Sequence, residues 1–174
     1  KTFAETLRTE YDAVTGKNLG ALIEGGSTNL VLRSEEFDNA AWAKSAIIVS
    51  SNSVTSPDTT LSGDKITPQT YAGSHKVAQT MTVSNGATVS LSGYFKAGGY
   101  NWVYLYENKS AKGSYFNLAA GTIGNSTSGV SPKITSFANG WFRCEITASV
   151  PAAQAEFRAF VATDNDVITF TGDG

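Results

Sequence analysis

The chain has 174 residues, with 13 Lys and Arg against 15 Asp and Glu and a formal net charge of −2. That length suits one domain, or one domain with an attached segment, and suffices to bury a core without covalent staples. The charge balance argues against a basic nucleic-acid footprint, the single cysteine, Cys144, excludes an intrachain disulfide, and no apolar run reaches membrane-spanning length.

Residues 1–28 differ in pattern from the rest. Thr6-Leu7-Arg8-Thr9-Glu10-Tyr11-Asp12 leads into a turn at Val14-Thr15-Gly16-Lys17-Asn18, a short apolar strand is expected from Leu19 to Glu24, and Gly25-Gly26-Ser27 makes a flexible joint. The segment is expected to be an N-terminal arm, joined to something upstream or packed on a neighbouring subunit, with residues 29–174 forming the domain proper. Asn29 to Leu32 is a strand candidate. Ser34 or Asp38 can cap one short helical turn ending at Trp42, whose indole is expected to plug the edge of the core. Weak alternation from Ala46 to Val54, a turn at Ser56-Pro57-Asp58-Thr59-Thr60 and a strand from Leu61 to Thr67 follow.

His75 to Val83 alternates well, with Val77, Met81 and Val83 inward. Asn85-Gly86 is a tight-turn pair leading into Thr88 to Lys96, the pattern of a hairpin. In that second strand Val89, Leu91 and Phe95 share one face, and Ser90, Ser92, Tyr94 and Lys96 the other.

The segment around which the rest is organised runs from Tyr94 to Tyr106, two strands joined at Ala97-Gly98-Gly99. Side chains alternate across a strand, so Asn101, Val103 and Leu105 fall on one face and Trp102, Tyr104 and Tyr106 on the other. Val103 and Leu105 form the natural core side. Each large ring can bury roughly 150–250 Å². Three left bare would rival the roughly 300–600 Å² of the largest patch on a typical monomer. A cover is therefore required: a second sheet, a loop, another subunit or a ligand. A flat apolar surface flanked by polar groups also suits a sugar, whose C–H face lies on a ring while its hydroxyls seek hydrogen bonds.

After a polar loop from Asn108 to Gly113, Tyr115 and Asn117 oppose Phe116 and Leu118. Gly121 to Ser131 is expected to be a Gly/Ser/Thr loop. Asn139-Gly140 turns into a strand from Trp141 to Thr147 with Phe142, Cys144 and Ile146 inward. From Glu156 to Val161 the inward set is Phe157, Ala159 and Val161, and a last short strand is expected from Val167 to Thr171. About nine or ten strands from Asn29 onward predict an all-β fold, a two-sheet antiparallel β-sandwich of jelly-roll type.

The outward positions collect Tyr94, Lys96, Trp102, Tyr104, Tyr106, Tyr115, Trp141, Arg143, Glu145 and Arg158. Aromatic planes beside Arg, Lys and Asn would form a groove with an apolar floor and polar walls. Arg143 and Glu145 are expected to pair with each other rather than with a ligand. Catalytic signals are weak. A glycosidase needs two carboxylates held roughly 5–9.5 Å apart, and the spacing of Glu107, Glu145 and Glu156 implies no such pair. No serine sits in a nucleophile-elbow pattern, no Cys/His cluster has zinc spacing, and His75 is the one histidine. Asp164-Asn165-Asp166 and Asp173, with Glu36, Asp38 and Asp64, could offer oxygen ligands to calcium, but without EF-hand spacing; turn formation is the simpler reading. Asn108-Lys109-Ser110 and Asn125-Ser126-Thr127 match the glycan-acceptor pattern, which matters only in a eukaryotic secretory setting.

Several stretches taken in order are familiar: Tyr11-Asp12-Ala13-Val14-Thr15-Gly16 with Leu19-Gly20-Ala21-Leu22-Ile23-Glu24, Thr28-Asn29-Leu30 with Ser34-Glu35-Glu36-Phe37, Lys96-Ala97-Gly98-Gly99, and Asn139-Gly140-Trp141-Phe142-Arg143. Their order resembles a domain recurrent in bacteriophage virion proteins (tail fibres, tail spikes and head appendages), which is similar to jelly-roll carbohydrate-binding modules. The resemblance implies a non-catalytic polysaccharide-binding or adhesion module, on a virion or otherwise extracellular, attached to a larger virion protein or a carbohydrate-active enzyme. It transfers no catalytic residue and no required cofactor. Some similar modules hold a structural calcium ion, for which no ligand motif stands here. In such modules the ligand lies across strand aromatics, which here would be Trp102, Tyr104 and Tyr106. It also implies one more apolar strand beyond Thr169-Phe170-Thr171-Gly172-Asp173-Gly174.

The expected ligand-binding set is therefore Trp102, Tyr104, Tyr106, Tyr94, Lys96, Asn101, Tyr115 and Arg158, with polysaccharide as partner and neither nucleic acid nor membrane. Two rival expectations stand beside it. One is a structural virion module whose aromatic face is buried in a homo-oligomer interface; the other, weaker one is a polysaccharide-degrading enzyme.

Overall fold

The computed structural model describes residues 9–11, 18–21 and 28–174, the first two segments as backbone only. Of the expected arm, the described residues form one short antiparallel pair, β1 (Thr9–Tyr11) with β2 (Asn18–Ala21). The Gly25-Gly26-Ser27 joint lies outside the described residues.

Thirteen strands follow Asn29, more than the nine or ten expected. They are β3 (Ala43–Ser45), β4 (Ile47–Thr55), β5 (Leu61–Pro68), β6 (Ala72–Ser74), β7 (Lys76–Thr82), β8 (Thr88–Lys96) and β9 (Trp102–Glu107). Then come β10 (Lys112–Asn117), β11 (Thr122–Ser126), β12 (Ser131–Ser136), β13 (Trp141–Ser149), β14 (Gln154–Ala162) and β15 (Thr169–Thr171). All pairings among the described residues are antiparallel. A six-stranded sheet has the order β11-β10-β9-β14-β7-β3, a three-stranded sheet the order β12-β13-β8, and β4-β5 and β15-β6 pair separately. The result is all-β and sandwich-like.

The main core lies between the two larger sheets. Val77, Met81, Val103, Leu105, Phe116, Phe157 and Ala159 point inward from the six-stranded sheet, and meet Leu91, Cys144 and Ile146 from the three-stranded one. The inward sets anticipated from alternation hold apart from Val161, which is only half-buried and stands outside the core cluster. Burial pushes the Cys144 thiol up to about 12, so it stays protonated and acts as a small apolar residue. Trp42 closes the core edge as expected: its indole N–H donates to the Arg33 carbonyl at 2.9 Å and its ring packs edge-on against Phe37 and Phe157.

Two local expectations fail for physical reasons. The strand at Asn29–Leu32 and the capped helical turn before Trp42 are replaced by successive tight turns. The carbonyls of Phe37, Asp38, Asn39 and Trp42 converge on Lys44 Nζ at 2.8–3.1 Å, and of these Asn39 also accepts the Trp42 N–H, closing a turn rather than a helix. The second is the hairpin at Asn85-Gly86. The turn forms, with Gly86 at φ 77, but β7 and β8 belong to different sheets. Their connection is welded to the equivalent crossing between β13 and β14: Gly86 N–H donates to Val150, Val150 N–H to Ala87, and Val83 N–H to Ala153, at 2.9–3.1 Å. The turn residues set the local bend, while the need to bury both sheets' apolar faces decides the partner.

Candidate functional site

The link Ala97-Gly98-Gly99 also passes from one sheet to the other, because β8 pairs with β13 and β9 with β10 and β14. Hence Tyr94 and Lys96 do not stand beside Trp102, Tyr104 and Tyr106, a correction to the expected binding set. Tyr94 is exposed on the outside of the three-stranded sheet, opposite Arg143 and edge-on to Phe137 at 5.1 Å. Lys96 is exposed opposite Trp141 on that same sheet. Asn101 is exposed just before β9, and its carbonyl accepts the Leu118 N–H. Trp141 is buried, its indole N–H donating to the Thr55 carbonyl at 3.0 Å. Arg143 and Glu145 form the expected ion pair, at 2.9 Å.

Five members of the expected set, Trp102, Tyr104, Tyr106, Tyr115 and Arg158, come together on the outer face of the six-stranded sheet. Strand register explains how. Tyr115, Tyr104, Phe160 and Lys76 are direct partners across β10, β9, β14 and β7. The row of four strands spans about 14 Å at ordinary strand spacing. Tyr106 lies one pleat along, between Gly113 and Arg158. Tyr104 sits at the centre, with ring centroids 4.1 Å from Tyr115, 5.5 Å from Tyr106 and 5.8 Å from Phe160. A cover for the three rings was required, and for Tyr104, only 8% exposed, neighbouring rings supply much of it. Trp102, Tyr106 and Ile168 pack around this second apolar cluster, and the first two remain half-buried.

The partial cover is a loop and an edge strand. Gly121–Ser131, expected to be a loop, contributes β11 at the sheet edge. Asp164-Asn165-Asp166 makes a tight turn with Asp166 at φ 68 and docks on β11: Asn125 N–H donates to Asn165 Oδ1 at 2.8 Å, and Asn125 Nδ2 donates to Asp166. Beside them Tyr104, Tyr115, Asn125, Ser126, Thr127 and Asp166 line a cavity of about 220 Å³. That is below the roughly 300–1,000 Å³ of a drug-sized pocket, so one ring-sized group fits and anything longer must continue across the sheet. Burial, with the neighbouring Asp166 carboxylate contributing, raises the pKa of both Tyr104 and Tyr115, so the phenols are neutral donors and acceptors.

The opposite flank of the aromatic row is cationic. Lys76 Nζ sits over the Phe160 ring, 5.5 Å from its centroid. Arg158 holds Glu156 Oε1 through Nε at 2.8 Å and through its terminal nitrogen at 2.7 Å. Glu156 also accepts from Asn108 Nδ2 at 2.8 Å. Sequence reasoning missed Phe160 and Lys76, although both share the outward parity of Arg158 or oppose the inward Val77. It also missed Asn125 and Asp166, whose meeting depends on tertiary docking alone.

The carboxylates weighed for catalysis are otherwise employed. Glu107 is fully buried and accepts four bonds, from the N–H groups of Lys109, Ser110 and Glu156 and the Ser110 hydroxyl, at 2.6–3.1 Å. Burial alone would raise its pKa; these donors outweigh it and hold the carboxyl below the usual range. Glu145 lies on the other sheet. Among the described residues no group of three or more His, Cys, Asp or Glu gathers as a metal ion requires. Asp64 instead accepts the N–H groups of Phe37 and Asn52, and Asp173 the Tyr100 hydroxyl. Both ring nitrogens of buried His75 face backbone carbonyls, of Ala46 and Phe170. Compared with known proteins, the chain matches no family model and no curated protein.

Proposed function

We propose that this chain is a non-catalytic polysaccharide-binding module of jelly-roll type, displayed on a virion or otherwise extracellular, whose ligand crosses the outer face of the six-stranded sheet. The observation that carries this reading is the continuity of Tyr106 and the Tyr104–Tyr115 pair with a cavity rimmed by Asn125, Thr127 and Asp166. Ring faces take the apolar side of a sugar, and amide, hydroxyl and carboxylate groups take its hydroxyls. Tyr106 is the accessible part of the floor, being only half-buried where Tyr104 and Tyr115 are buried. The order of motifs shared with phage virion domains points the same way and is the basis for the virion setting.

The rival in which the aromatic face is sealed by a second subunit has less to commend it. Tyr104, Tyr115 and Phe160 are already covered by this chain's own residues, so no partner is needed to hide them. The enzyme reading loses Glu107 to its loop. A glycan-array screen, run with and without a chelator, tests the proposal. It predicts retention of a defined set of glycans that Tyr106→Ala abolishes; an empty array contradicts it.

A further inference from the structure

We propose that the saccharide bound on this sheet is acidic, with a carboxylate group of the sugar seated beside Lys76 and Arg158. This deepens the polysaccharide-binding reading above and rests on it. Lys76 projects from the outward row of β7, directly across from Phe160 and diagonally next to Arg158. Among the described residues its ammonium has no carboxylate within 4 Å. Glu156, the nearest acid on this face, is held twice by Arg158 and once by Asn108, with Lys109 Nζ 3.9 Å away. Arg158 and Lys109 thus take up that carboxylate, and Lys76 is left without one in contact.

The cost of that arrangement is visible in Lys76 itself, whose pKa is lowered, first by burial and then by the Arg158 charge, which the Glu156 carboxylate only partly offsets. A half-buried ammonium beside a like charge, on an aromatic shelf that partly excludes water, is a poor place for a cation unless an anion joins it. A sugar carboxylate meets that need: it brings the missing negative charge while its ring rests on Tyr106. The other end of the row carries the opposite sign, because Asp166 flanks the Tyr104–Tyr115 cavity. A carboxylate is repelled there and hydroxyls are welcome. The two ends therefore orient the chain, with the acidic sugar over β14 and β7 and a neutral ring at the cavity. Neutral glucans satisfy only the second half of this surface.

The test is calorimetric titration of the intact chain with polygalacturonate, dextran and dextran sulfate, each at low and high salt. Lys76→Gln is the variant, and Lys133→Gln on the opposite sheet is the control that removes the same charge. The expected result is binding of polygalacturonate that weakens with salt and falls about tenfold or more in Lys76→Gln, the loss of one charge-assisted contact, with no change in Lys133→Gln. Should Lys76→Gln fail to fold, the salt series and the polygalacturonate-to-dextran ratio of the unaltered chain decide alone. Binding of dextran equal to that of polygalacturonate overturns the acidic specificity and leaves the binding module standing. Equal binding of dextran sulfate overturns the carboxylate assignment in favour of any polyanion. Binding of none of the three, together with an empty glycan array, overturns both readings.

Discussion

The rings of Tyr104 and Tyr115 stack 4.1 Å apart with 22° between their planes, from positions directly opposite each other on β9 and β10. This pair explains why a residue facing away from the main core is nevertheless buried. Each aromatic pair adds about 0.5–1.5 kcal/mol beyond area burial. With Tyr106 and Phe160 also in contact, Tyr104 anchors a second small core on the outside of the sheet. It is thus a poor probe of ligand binding: Tyr104→Ala should cost about 3–5 kcal/mol of stability. Tyr106 is the better one.

Gly113 makes the Tyr104 position possible. A Cβ there would lie 2.5 Å from the Tyr104 hydroxyl oxygen and 2.6 Å from the Leu105 carbonyl oxygen. The ring could swing away, but the backbone oxygen cannot. Gly113→Ala should therefore lower stability by about 1–3 kcal/mol. It should also weaken the near-ultraviolet circular dichroism of the tyrosine cluster. Urea unfolding followed by near-ultraviolet and far-ultraviolet signals measures both; an unchanged spectrum and midpoint would show that the ring does not lie over Gly113.

Acid should loosen the loop after β9. The folded-state pKa of Glu107 is depressed, so its contribution to stability is complete above the ordinary carboxylate range and is lost as pH falls through the lower folded value. Glu107→Gln replaces an acceptor by a donor opposite buried N–H groups, at a cost of about 2–4 kcal/mol near neutral pH. Thermal melts of both proteins from neutral to acid pH should converge at the acid end. A constant gap between them would contradict this role.

Alkali should act on the outer cluster. The phenols of Tyr104 and Tyr115 have raised folded-state pKa values, so their stabilisation is present below the ordinary phenol pKa and is lost as pH rises above it. Absorbance titration should show these two groups ionising late and together with the loss of near-ultraviolet structure. Full ionisation of every tyrosine at the ordinary phenol pKa, with the fold intact, would contradict the burial of this pair.

Much of the fold was legible because alternation is a local property. Val103 and Leu105 against Tyr104 and Tyr106, or Cys144 and Ile146 against Arg143 and Glu145, follow from the strand period and the apolar residues themselves. What sequence could not supply is which strand neighbours which. Ala97-Gly98-Gly99 and Asn85-Gly86 carry the chemistry of tight turns, and nothing local distinguishes a turn within a sheet from a crossing between sheets. For this reason strand parity alone groups Tyr94 and Lys96 with rings from which the core separates them. The same limit hid Asp166 and Asn125, forty-one residues apart and joined only when the turn after β14 docks on β11. Phe160 and Lys76 were within reach, since each stands at outward parity in a strand whose inward set was recognised.

The most direct test of the central claim, that a sugar rests on the exposed ring of the outer sheet face, is calorimetric titration of this chain and of Tyr106→Ala with whichever polysaccharide the array retains. The account predicts measurable binding to the unaltered chain, and a loss of about tenfold or more in Tyr106→Ala, the worth of one stacked ring, at a temperature where the variant's far-ultraviolet spectrum shows it folded. Equal binding by the two proteins would mean that the ligand, if any, lies elsewhere on the molecule.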